Sequence, residues 1–105
     1  MEQPNSNYID QLAGDDQEFK SKVIAILKKE LPEEIELYNN QICNKNFKLA
    51  AKSVHKLKHK VSILGLEKSY YIAEEYENNL NENATHMQSE FEAILQSMHD
   101  FVNKL

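Results

Sequence analysis

Only two glycines and two prolines punctuate the 105 residues, and this scarcity limits what the chain can fold into. An all-β chain of this length needs many tight turns, and tight turns draw on Gly and Pro for their backbone angles. Long helices with few connections fit instead. A chain of this size is expected to close around one hydrophobic core as a single domain, residues 1–105. Neither an internal repeat nor a linker rich in Pro, Gly or Ser divides it.

Apolar residues recur at three- and four-residue intervals through most of the sequence. Tyr8, Ile9 and Leu12 have the spacing of a short first helix, which Gly14 closes because glycine tolerates the left-handed conformation after a helix end. Asp15 and Asp16 are placed to cap a long second helix whose stripe is Phe19, Val23, Ile26, Leu27, Leu31, Ile35, Tyr38 and Ile42. Pro32 lies inside it and is expected to bend it without dividing it. After a polar connection at 44–46, Phe47, Ala50, Val54, Leu57, Val61 and Leu64 mark a third helix that ends at Gly65. A fourth starts near Glu67, carries Ala73, Tyr76 and Leu80, and runs into the polar stretch NNLNENA. Thr85 is placed to cap a fifth, with Met87, Phe91, Ile94, Leu95, Met98, Phe101, Val102 and Leu105 along one face. Four amphipathic helices of about 14 to 25 residues can bury such stripes only against one another. The expected fold is therefore all-α, an up-and-down antiparallel four-helix bundle with a short extra N-terminal helix.

No stretch has the roughly 18 apolar residues of a membrane span, and the opening MEQPNSNY lacks a basic region followed by an apolar one. Cys43 is the only cysteine, so an internal disulfide is impossible and a reducing, cytoplasmic setting is expected. The net charge is −5, but residues 45–60 contain Lys45, Lys48, Lys52, Lys56, Lys58 and Lys60 with no acid. That segment carries +6, leaving −11 on the rest. The chain is electrically two-faced.

On a helical wheel with His55 at zero, Ala50, Val54, Leu57, Val61 and Leu64 lie between about 180° and 260°, so the imidazole points away from the buried stripe. Lys48, Ala51, Lys52, Lys58, His59 and Ser62 fall within about 60° of His55. Taken by itself, this face reads as a lysine-rich solvated surface.

The segment AAKSVHKLKHKVSILGLEKS resembles the signature of histidine-containing phosphotransfer (HPt) domains, H-x-L-K-G followed at fixed distance by Leu-Gly. His55, Leu57, Lys58, Leu64 and Gly65 match in register, while His59 stands where the family usually has glycine. The likeness extends over nearly the whole chain, through the short first helix, the Gly14-Asp15 turn and the long helix with Pro32. It implies a phosphorelay carrier in two-component signalling that accepts a phosphoryl group on His55 from one receiver-domain aspartate and passes it to another. A neutral imidazole is a competent nucleophile, and a nearby ammonium can neutralise the transferring group. Lys58 and Lys52 are the expected phosphoryl-stabilising residues, and Lys48, Ala51, His59 and Ser62 the expected docking face. The implied partners are response-regulator receiver domains and hybrid sensor histidine kinases, with Mg²⁺ held on the receiver and no cofactor or metal on this chain, which is expected to act as a monomer. After His59 the residues KVSI do not repeat the motif, which favours His55 as the acceptor.

No Gly-rich phosphate loop is present, so neither nucleotide binding nor kinase activity of its own is expected. One competing reading is a receiver-binding adaptor that takes no phosphate. Another is a metal site on His55 and His59 at i, i+4, which lacks a local third ligand and sits among repelling lysines. Nucleic acid fits less well, because the tyrosines and phenylalanines are expected mostly in the apolar stripes rather than in a stacking platform beside the lysines.

Overall fold

The computed structural model describes residues 2–105. Five helices account for about four-fifths of them, α1 (Asn7–Ala13), α2 (Gln17–Cys43), α3 (Phe47–Ile63), α4 (Glu67–Asn81) and α5 (Gln88–Asn103), with no strand among the described residues. The four long helices contact in a ring, α2 with α3, α3 with α4, α4 with α5, and α5 back to α2, while α1 packs on α2. Among the described residues no helix is long and apolar enough to cross a membrane.

The helix ends follow their local chemistry. Asp16 accepts a hydrogen bond from the Phe19 amide at 3.0 Å and so caps α2. Gly14 after α1 and Gly65 after α3 both have positive φ, 55° and 75°. At Gly65 a side chain would also collide with Asn5, whose atoms lie 2.6 to 2.9 Å from where a Cβ would stand. Pro32 leaves α2 undivided over its 27 residues. Thr85 does not cap α5: the helix starts three residues later, after Met87 takes a left-handed φ of 72° and turns the chain without a side-chain cap.

The N-terminal segment closes the α3–α4 corner. Helix α4 begins after Leu66, which has no capping side chain. The Glu2 carboxylate supplies the cap from a distance, accepting from the amides of Lys68 at 3.0 Å and Ser69 at 2.9 Å, while the Asn5 amide donates to the Leu64 carbonyl at 2.9 Å. Its slight burial would raise the Glu2 carboxyl, but these backbone donors and the Lys68 charge outweigh it and hold the group below the usual carboxylate value.

The core takes the expected stripes of α3, α4 and α5. Tyr38 meets Tyr76 and Phe91 edge to face at its centre, with Tyr38–Phe91 ring centroids 5.5 Å apart, and the Tyr76 and Phe91 rings are tilted to each other by 42°. The two phenols hydrogen-bond at 2.6 Å and Tyr38 donates to Glu92 at 2.9 Å, so the buried hydroxyls are satisfied. Two residues of the expected α2 stripe, Phe19 and Ile26, are exposed. On a wheel they lie about 100° from the Leu27, Leu31 and Tyr38 direction, at the fringe of the stripe rather than on it.

Candidate functional site

Helix α3 has α2 on one side and α4 on the other, and this decides which residues around His55 reach solvent. Ala50, Val54, Leu57, Val61 and Leu64 are fully buried, as the wheel places them. With a neighbour on each flank, the buried arc widens to about half of the helix circumference. Ser53 and Lys60 are covered on the α2 flank, and Ala51 and Lys58 on the α4 flank. His55, Lys48, Lys52, Lys56, His59 and Ser62 remain exposed.

The basic segment is thus divided. Lys60 donates to Glu30 at 3.1 Å and Glu34 at 2.8 Å, joining α3 to α2. Lys58 is 8% exposed, donates to Glu77 at 2.9 Å and lies 5.4 Å from the centre of the Tyr70 ring, joining α3 to α4. Burial alone would lower both ammonium groups, yet their carboxylate partners outweigh it and hold both above the ordinary lysine value. Lys48, Lys52 and Lys56, one turn apart, carry the exposed positive charge beside His55.

The His55 side chain is 56% exposed, and its Nδ1 lies 3.1 and 3.3 Å from the two oxygens of Glu77. An ionised carboxylate only accepts, so the Nδ1–H donates and the neutral ring keeps its lone pair on Nε2. Among the described residues Nε2 makes no hydrogen bond. Glu77 therefore bridges Lys58 and His55, with the lysine charge balancing the carboxylate that orients the ring. The His59 ring stands 5.5 Å away and nearly perpendicular, at 88°. A shallow cleft of about 300 Å³ opens beside His55, bordered by Ala51, Lys52, Lys56, Glu77 and Asn81.

Sequence reasoning missed Glu77 and Asn81, because no spacing rule connects residue 55 with another helix 22 positions on. The only available signal was an acid next to Tyr76 on the core-facing side of a helix, where an unpaired charge is costly. Among the described residues no group of three or more His, Cys, Asp and Glu side chains could hold a metal ion. Cys43, the last residue of α2, is exposed and free.

No family model, curated protein or solved structure matches the chain.

Proposed function

We propose that this protein is a phosphorelay carrier, a cytoplasmic HPt-like monomer whose four long helices form an up-and-down antiparallel bundle. The ring of helix contacts and the short connections support the bundle. The observation that carries the function is the His55 imidazole, outward-facing and oriented by Glu77 through Nδ1, with Nε2 bonded to no partner among the described residues. The HPt-like motif around it supports the same reading.

In the proposed reaction Nε2 attacks the phosphorus of an aspartyl phosphate on a receiver domain. The N–P bond forms as the acyl P–O bond breaks, and the donor carboxylate leaves with that electron pair. The ring becomes a phosphorylated imidazolium whose positive charge Glu77 stabilises through the retained Nδ1–H. Transfer onward reverses these steps on a second receiver, which supplies the Mg²⁺. Lys52 is the exposed ammonium closest in register for the phosphoryl oxygens, and Lys58 contributes by fixing Glu77 in place. Lys48, Lys56, His59 and Ser62 form the rim that meets the receiver's acidic pocket, and the excess positive charge speeds encounter without tight binding.

Incubation with a phosphorylated receiver domain tests the proposal. Acid-labile, base-stable label is expected on the wild-type chain and none on His55→Gln, which should remain folded because the ring is exposed. Undiminished label on His55→Gln would refute it. The perpendicular His59 ring, crowding the place where a partner must approach, favours the second reading of a receiver-binding adaptor; complex formation without label would establish that reading instead.

A further inference from the structure

Three of the five tyrosines border a single cavity of about 540 Å³ where α1, the end of α3 and the start of α4 converge. Tyr8 and Tyr71 are 46% and 69% exposed, so much of their aromatic surface is open to a ligand. The Tyr70 and Tyr71 rings stand at 89° with centroids 5.7 Å apart, the edge of one toward the face of the other, and Tyr8 from α1 lines the same cavity. Glu67 also lines the cavity, is exposed, and takes part in no ion pair among the described residues. Of the basic side chains only His59 borders the cavity, since Lys58, above Tyr70, is already bound to Glu77.

Aromatic faces carry negative quadrupoles and attract cations that have little hydration to lose. A carboxylate without a counter-ion adds full charge of the same sign. A primary ammonium would have to exchange three water hydrogen bonds for protein acceptors, whereas a quaternary ammonium donates none and loses little on entering a ring-walled site. We infer that the Tyr8–Tyr70–Tyr71–Glu67 cavity binds a small quaternary ammonium compound. The cavity shares His59 and Ser62 with the rim proposed to meet the receiver, but the inference rests on the tyrosines and Glu67 and does not depend on phosphoryl transfer at His55.

Choline and its neutral isostere 3,3-dimethylbutan-1-ol separate charge recognition from shape recognition. In NMR titrations of the full chain at pH 8, choline is expected to shift signals of Tyr8, Glu67 and Tyr71 along a saturable curve, with the isostere at least about fivefold weaker. Tyr71→Leu and Glu67→Gln should each weaken choline by about two- to fivefold, the size of one exposed cation–π or ionic contact. Both positions are exposed, so an unchanged far-UV spectrum should accompany the loss. An isostere that binds as well as choline, a Tyr71→Leu protein that binds like the parent, or no saturable choline shift would each overturn the inference.

Discussion

Lys58 and Lys60 stand two positions apart on α3 and meet opposite neighbours. Both are nearly buried, and both are held protonated by carboxylates of an adjacent helix. Lys60 is served by two acids on α2, neither of which touches another functional side chain, so its work ends at joining two helices. Lys58 is served by one acid on α4, and that acid also holds His55. A single extra contact separates an ion pair that only joins two helices from one that also holds an exposed imidazole. Burial and charge alone would not have told the two apart.

The largest expected effect tests the structural half of this contrast. Lys60→Met leaves Glu30 and Glu34 facing each other without a cation, and one buried Glu34 oxygen already has no partner. We expect a loss of about 2–3 kcal/mol in urea unfolding, below the range for a fully buried pair because Glu30 is half exposed. Adding Glu34→Leu should recover most of it, and label uptake by His55 should be unchanged. The pair also predicts a pH limb. A lysine whose folded-state value is raised stabilises fully below the ordinary value of 10.5, and the contribution fades as pH rises through the folded-state value. Unfolding midpoints measured from pH 9 to 12 should therefore fall less steeply in Lys60→Met than in the parent.

Glu77→Gln probes the other half. It keeps the shape but leaves Lys58 unpaired and the His55 tautomer unassigned, since an amide can accept or donate. A stability loss of about 1–2 kcal/mol is expected, with phosphoryl transfer slowed on the order of tenfold. Unchanged transfer kinetics together with the stability loss would reduce Lys58 and Glu77 to a second structural pair.

The smallest effect lies outside both flanks, at a carboxylate whose only work is to cap a helix. Glu2→Gln should cost about 0.5–1 kcal/mol, the worth of a helix cap. Because the Glu2 value is lowered on folding, its contribution is present above the ordinary carboxylate value of 4.5 and fades as pH falls through the folded-state value. The acid side of the stability profile should accordingly be shallower in Glu2→Gln.

The helix pattern and the outward direction of His55 were legible because both follow from spacing along one helix. The wheel identified the centre of the α3 stripe but not its width, which depends on having neighbours on both sides; Ala51, Lys58 and Lys60 were hidden in that difference. Glu77 and the Glu2 cap were illegible for a related reason, as each acts across helices at sequence separations that periodicity does not record. The aromatic residues mostly fill the stripes as expected: Tyr38, Tyr76 and Phe91 occupy the core and Phe47, Tyr70 and Phe101 pack against it, while Tyr8, Phe19 and Tyr71 stand at the surface.

The Glu2 contact also bears on the order in which the molecule assembles. It joins positions 66 and 67 residues apart. Closing so long a loop costs on the order of 4 kcal/mol in chain entropy, well beyond the roughly 1 kcal/mol that such a cap returns. Such a closure cannot lead folding; it can form only after α3 and α4 have docked and fixed the corner. It should also be the first to release, so the amides of Lys68 and Ser69 should exchange with deuterium well ahead of those in the middle of α4.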